Sequence, residues 1–558
     1  MFLAAPFLVA ENGAAAPGIR HRWGALALLA ISVAGWFWMN SGLVPINDGP
    51  FRLDGLSYYI RGTTLVFGAV ISLMLWSQVD DSKAAECQAL LLAILAGVNF
   101  TVAANDLVVL FLGLELVSIP TYVLLALPRR DRESQEATIK YFLLSAFSSA
   151  VVLYGFALLY GATGTTHFVG IAQAIGGNHS GEFSKLLPLS VALIVAGLGF
   201  RVTAVPFHFY APDVFQGSPA FAAGMLSLIP KIVGFAALVR VLGISVADTA
   251  FDMNLDSLAS IVKPLLAMLA VVTMLLGNLM ALRQTNIHRL MAYSSVAHAG
   301  YMLVGLTIGD RGQIATGVSA MLFYLVAYGV MTLGVFAVLC AISPSDRPIK
   351  DLHDLNGISR HHSAAALMLA VFLFSLAGLP PSGGFLGKMN LFLAAWSEGT
   401  MLGKYLAYIM AFNAMVSAVY YLRIVAAVYL KPGTGPTTMH MSAPAMVASV
   451  FCMVATFAMF VSPQAIWDRA RMKDPSAVVV VSPTEVKSSM SEAIDGLPAE
   501  SPASLEETLP SSSLPQNIPG GISVPGERAG STPSASVESG PPDSRSESTA
   551  TTPESSAP

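Results

Sequence analysis

The chain has 558 residues, of which 54% are hydrophobic and only 11% charged, against about 25% charged in a soluble globular protein. Its 30 lysines and arginines and 34 aspartates and glutamates leave a net charge of -4, without the basic tract that nucleic-acid binding would require. This composition excludes a soluble enzyme and reads as an all-α polytopic membrane protein in a lipid bilayer. Cys87, Cys340 and Cys452 lie in or beside different apolar runs with no CxxC or Cys/His spacing, so no metal site or redox cofactor is expected in this chain.

In chain order, residues 1–22 read as a short N-terminal segment, a vestigial first helix, because the apolar run of residues 1–10 is too short to span and ENGAAAPG follows it. Thirteen complete spans are then predicted, at 23–39, 57–79, 87–104, 106–127, 138–160, 186–209, 219–242, 262–282, 289–308, 314–341, 364–396, 405–430 and 443–462. Threaded through thirteen spans, the basic loops around Arg20 and Arg22, Arg129 to Arg132, Arg283 and Arg289, Arg347 to Arg360, and Lys431 all fall on one side. Positive loops stay in the cytoplasm, so the N-terminus is expected inside the cell and the C-terminus on the outer side of the plasma membrane. Residues 473–558 change to Ser, Pro, Glu, Thr and Gly with almost no aromatics, a composition expected to remain disordered.

The span at 106–127 holds a carboxylate, Glu115, near its middle. A charge at that depth costs roughly 2.5 to 3.5 kcal/mol on insertion scales, so it should face protein or trapped water and meet a cation. Arg201, Lys231 and Lys388 each lie deep in later apolar runs and are the candidate partners. His298 in AYSSVAHAGYMLVG lies near the middle of its span, and imidazole suits a proton relay. Lys140 sits near the cytoplasmic start of its span, where it is either a relay group or a lysine reaching the headgroups. Two spans are interrupted by proline, at Pro206 and Pro212 after Arg201 and at Pro380 and Pro381 before Lys388. Freed carbonyls inside a bilayer are tolerated only against protein or a wet cavity. The breaks are five spans apart, which predicts two inverted five-helix repeats, over residues 87–242 and 262–430, with 23–86 before them and the last span 443–462 after. In that reading Glu115 matches the His298 position of the second repeat.

The motifs LFLGLELVSIPTYVL, FHFYAPDVFQGSPA, GNLMALRQTNIHRLMAYSSVAHAGYMLVGL and FSLAGLPPSGGFLGK closely resemble those of the antiporter-like subunit N family of NADH-quinone oxidoreductase, respiratory complex I. The resemblance runs from about Leu53 to Leu430 and continues more weakly through the last span. It implies an antiporter-like bundle of 13–14 transmembrane helices with two broken helices. It also implies proton translocation through Glu115, Lys231, His298, Lys388 and Lys140, coupled to NADH and quinone chemistry elsewhere in the complex. Subunits M and K are the implied neighbours. Two positions depart from the family pattern, Arg201 and His288, where lysine is usual. A subunit of a multisubunit Na+/H+ antiporter or hydrogenase-type complex is the alternative transport reading, and a non-pumping membrane scaffold the alternative of another class.

Overall fold

The computed structural model describes residues 18–40, 49–129, 131–176, 186–243, 256–309, 316–343, 349–433 and 441–470. Most of the predicted N-terminal segment, at residues 1–17, and the Ser/Pro-rich tail lie outside the described residues. The helices run α1 (Ile19–Asn40), α2 (Gly55–Gln78), α3 (Ala84–Val102), α4 (Leu107–Ala126), α5 (Arg132–Thr163), α6 (Phe168–Gly176), α7 (Leu186–Val202), α8 (Ala211–Gly217) and α9 (Ala220–Val241). They continue with α10 (Asp256–Leu282), α11 (Ile287–Ile308), α12 (Gly317–Ile342), α13 (Ser363–Ala377), α14 (Gly383–Ser397), α15 (Met401–Leu430), α16 (Ala443–Val461) and α17 (Gln464–Ala470). Every predicted span thus holds a helix: the one at 364–396 is the pair α13 and α14, and the one at 186–209 holds α7 and the break after it. The short α6 and α17 were not anticipated. The first break falls at residues 203–210, and the helix that follows it, α8, lies wholly beyond the predicted limit at 209.

Helices prevail because a bilayer offers no water to backbone N–H and C=O groups, so each span must bond internally. Their first turns are closed by side chains: Asp54, Asp106, Asn286, Thr316, Ser382 and Thr400 each accept a bond from a first-turn amide. Among the described residues, ten helices are long and apolar enough to cross a membrane. Helix α11 is not among them, because it carries His288, Arg289, His298 and a run of serines and tyrosines. It is instead enclosed by other helices. Buried residues also cover nearly all of α9 and α12, which form the middle of the bundle. Outer faces carry exposed apolar side chains, such as Leu29 and Phe37 on α1, Phe142 and Phe147 on α5, Phe412 and Met415 on α15, and Val447 and Val454 on α16. On a soluble protein so much exposed apolar surface would be a liability; here it matches lipid and neighbouring subunits.

Several local arrangements occur twice. Gly97 of α3 and Gly113 of α4 lie where a Cβ would strike the facing backbone, and Gly277 of α10 and Gly300 of α11 do the same, as expected of close helix pairs in membranes. Asp106, ahead of α4, forms a backbone bridge with His167, and Asn286, ahead of α11, forms one with Asp351. Both broken helices end on a left-handed residue, Thr203 (φ 61°) after α7 and Gly378 (φ 89°) after α13, with proline three residues later at Pro206 and Pro381. Thr203 is the one non-glycine residue with positive φ among those described. A residue there departs from the helix and leaves the preceding carbonyls free.

Two ion pairs that share Asp54, with Arg52 at 3.3 Å and with Arg240, shape the bundle's end where α2 starts. Arg240, in the last turn of α9, donates to both carboxylate oxygens of Asp54 at 2.5 and 2.7 Å, and also reaches the Ser57 hydroxyl and the Val102 carbonyl. Burial pushes the Asp54 carboxyl up, but the Arg240 charge and hydrogen bonds outweigh it and hold the group below the usual carboxylate range. Arg240→Met should cost less than the about 3 to 5 kcal/mol of a buried pair broken on one side, because Arg52 Nε stays 3.3 Å from the Asp54 carboxylate. The measurement is thermal unfolding in detergent; an unchanged midpoint would mean that the pair does not hold α2, α3 and α9 together.

Candidate functional site

Glu115 on α4 and Arg201 in the last turn of α7 meet across α5. Arg201 donates from Nη2 to Glu115 Oε1 at 3.3 Å and to Ser149 Oγ at 3.1 Å, and from Nη1 to Ser118 Oγ at 2.7 Å and to the Leu114 carbonyl at 3.3 Å. Ser149 donates to the same Glu115 Oε1 at 2.5 Å. The guanidinium is 5% exposed and the carboxylate 25%, so the pair opens sideways through the glutamate. Of the three candidate cations, Arg201 is therefore the partner, and neither Lys231 nor Lys388 forms an ion pair among the described residues. Glu115 is also not the most enclosed acid, since the side chains of Asp54 and Glu398 are 10% and 5% exposed.

Each lysine is instead held at a helix break. Lys231, fully enclosed on α9, donates to Thr203 Oγ1 at 3.1 Å, at the break after α7, and to Ser295 Oγ of α11 at 2.5 Å. Lys388, one turn into α14, donates to the carbonyls of Leu376 at 2.8 Å and Ala377 at 3.0 Å. Those carbonyls end α13, where the partial negative charge of the helix terminus suits an ammonium group. No carboxylate neutralises either lysine, so each ammonium rests on hydroxyls, carbonyls and aromatic faces. Lys231 Nζ is 5.8 Å from the centre of the Tyr328 ring, and Lys388 Nζ is 5.2 Å from that of Tyr301.

His298 of α11 lies between them. One ring nitrogen, Nδ1, is 2.5 Å from the Tyr324 hydroxyl, and the other, Nε2, is 3.0 Å from the Tyr421 hydroxyl. The Tyr328 and Tyr301 rings pack on the imidazole at 4.9 and 5.8 Å between centres. Lys140 is separate from this chain of groups. It pairs with Glu136 at 2.7 Å and with Asp213 at 2.6 Å, and Asp213 also takes Arg289 at 2.6 Å. The tip of α8 is thus clamped between α5 and α11. Sequence reading found the charged groups but missed Thr203, Ser295, Tyr324 and Tyr421. Hydroxyls are common in helices, and nothing in their spacing marked these four.

The arrangement is a line of proton-holding groups through the enclosed middle of a membrane bundle, beside one fixed ion pair. Residues 104–414, more than half of the chain, match the family described as NADH:quinone oxidoreductase/Mrp antiporter, TM. The chain is 37% identical over 432 residues to NADH-quinone oxidoreductase subunit N of Rhodospirillum rubrum, covering 76% of this chain and 84% of that protein. This chain belongs to the subunit N family. A chain of respiratory complex I from Thermus thermophilus superposes with a TM-score of 0.67 at 31% identity, over 80% of this chain and 94% of that one. The Mrp complex of a Dietzia species gives 0.68 at 20% identity, over 84% of this chain and 94% of that one, which shows the shared fold alone.

Proposed function

We propose that this chain is the proton-translocating membrane subunit of an NADH-quinone oxidoreductase, with Lys231, His298 and Lys388 as the relay and Glu115 with Arg201 as a charge pair beside it. The observation that carries this reading is the placement of one lysine at each helix break, without an acid partner. A lysine so held can give up and regain a proton, whereas one locked to a carboxylate would keep it. Lys140, paired with both Glu136 and Asp213, would keep its proton by the same argument and is assigned as a charge partner that holds α8 to α5. NADH and quinone are used elsewhere in the complex, and no redox group is assigned to this chain.

The two-repeat organisation, residues 87–242 and 262–430, is supported by Gly97 and Gly277, each nine residues ahead of the cap Asp106 or Asn286, by the paired backbone bridges and by the paired left-handed terminators. Counting from the helix caps, Glu115 stands nine residues after Asp106 and Ser295 nine after Asn286. That register pairs Glu115 with Ser295, one turn from the His298 position expected from sequence. Ser118, a partner of Arg201, then pairs with His298.

Glu115 also supports the assignment of neighbours. Its carboxylate is partly open at mid-depth beside exposed Leu112, Leu116 and Ile119, and a carboxylate facing lipid there would be costly. Another membrane subunit must cover this face, and we assign M and K as the flanking subunits of the arm. The complex is placed in the plasma membrane, with the N-terminus in the cytoplasm and the C-terminal tail outside. Purification in mild detergent should bring down the other membrane subunits with this chain. Recovery of the chain alone, or an iron, flavin or haem signal stoichiometric with it, would overturn the assignment.

A further inference from the structure

Among the described residues the groups between the two lysines are His298, a cage of tyrosines and the Ser294 and Ser295 hydroxyls, without an acid or a third lysine. Tyr421 of α15 bonds His298 Nε2 at 3.0 Å and Ser294 Oγ at 2.5 Å, and Tyr324 of α12 bonds His298 Nδ1 at 2.5 Å. All of these side chains are buried at 0–1% exposure. A buried histidine that is merely structural usually has one ring nitrogen tied to a carbonyl or carboxylate, which only accepts and so sets the tautomer. Both partners here are hydroxyls, which donate and accept equally well.

We propose that Tyr421, His298 and Tyr324 form the proton wire that joins the two lysines, with the imidazole passing the proton from one ring nitrogen to the other. This rests on the relay reading above and names the groups that fill its middle. Ser294, at one end, is next in sequence to Ser295, the hydroxyl partner of Lys231. At the other end the Tyr324 ring packs against Gly387, the neighbour of Lys388, so closely that a Cβ there would collide with it. A proton arriving from the Ser294 side bonds to the Tyr421 oxygen as that hydroxyl gives its own hydrogen to Nε2. The hydrogen on Nδ1 passes to the Tyr324 oxygen, and the original Tyr324 hydrogen leaves toward Lys388. Every group ends neutral, and only the tautomer of His298 has changed. To carry a second proton the same way, the ring must turn about its Cβ–Cγ bond. The wire therefore passes one proton per turn, against the Tyr328 and Tyr301 rings packed on the imidazole.

The test uses the whole complex in vesicles, with Tyr421→Phe, Tyr324→Phe and the double variant, each of which keeps the ring and removes the hydroxyl. Subunit composition after purification controls for assembly. Lys388→Ala sets the size of this chain's share of the protons moved per electron. A series wire requires each single variant to lose that whole share and the double variant to lose no more. Infrared spectra of histidine-labelled protein, referenced to His298→Gln, should show both neutral tautomers in the parent and one in each tyrosine variant. If Lys388→Ala abolishes the share while the assembled tyrosine variants keep it, the wire is wrong and the lysine relay stands. If the tyrosine variants lose partial, additive amounts with the tautomer mixture unchanged, the hydroxyls serve packing and the wire is equally wrong. If Lys388→Ala itself pumps normally, the relay reading fails first.

Discussion

Replacing Lys388 with alanine should abolish proton translocation through this chain while leaving assembly intact. The side chain gives two hydrogen bonds to the carbonyls that end α13, and bonds made by a charged donor contribute about 1.5 to 3 kcal/mol each. Water entering the break can replace them, because the carbonyls are already free of helix partners. The charge itself is paired with no carboxylate, so its removal strands nothing. Lys388→Arg separates charge from titration. A guanidinium keeps its proton in proteins, so this variant should retain the positive group and still not pump. Protons moved per electron in reconstituted vesicles decide the matter, and an assembled Lys388→Arg complex with the parent ratio would show that Lys388 need not release its proton.

The second large effect is expected at Arg201. Its Nη1 and Nη2 donate to Glu115, Ser118, Ser149 and the Leu114 carbonyl, and a guanidinium keeps its proton in proteins, so it is expected to act as a fixed charge and not as a carrier. Arg201→Ala leaves Glu115 at mid-depth without a cation, and removal of one member of such a pair costs about 3 to 5 kcal/mol. The lower end is expected, since the carboxylate is partly open. The variant should assemble poorly or pump poorly. Adding Glu115→Gln should recover much of the loss, because the amide needs no counter-charge. Arg201→Lys should be tolerated and should raise coupling if a titratable group at this position joins the relay. Yield of intact complex and protons per electron, compared across the three variants, test the pairing. Full activity of Arg201→Ala with Glu115 unchanged would show that the two groups are independent.

The tyrosine cage shows where reading a sequence stops. Lys231, His298 and Lys388 were legible because an ionisable residue inside an apolar run is costly and rare, and so is conspicuous. Tyr324 and Tyr421 were not, since tyrosine at mid-helix is ordinary and its partner is chosen only when three helices cross. The same holds for Thr203, which gained meaning from a left-handed backbone at the break. Lys140 was legible as a boundary lysine, yet its tie to Asp213, 73 residues away, depends on where α8 ends.

By itself the sequence determined the spans, their order, the two broken helices and the charges at mid-span, because hydropathy, proline and ionisable groups act through the local chain and its solvent. Asp54, Arg240 and Glu398, enclosed at helix ends, were not among them. Only the tertiary structure decided which charges meet. Glu115 and Arg201 are 86 residues apart, and Lys231 and Lys388 were equally placed by depth to be the partner. Packing of α4, α5 and α7 gave the glutamate to the arginine and left both lysines to the helix breaks. Depth in the bilayer is a property of position along one helix, whereas pairing depends on how several helices are turned toward one another.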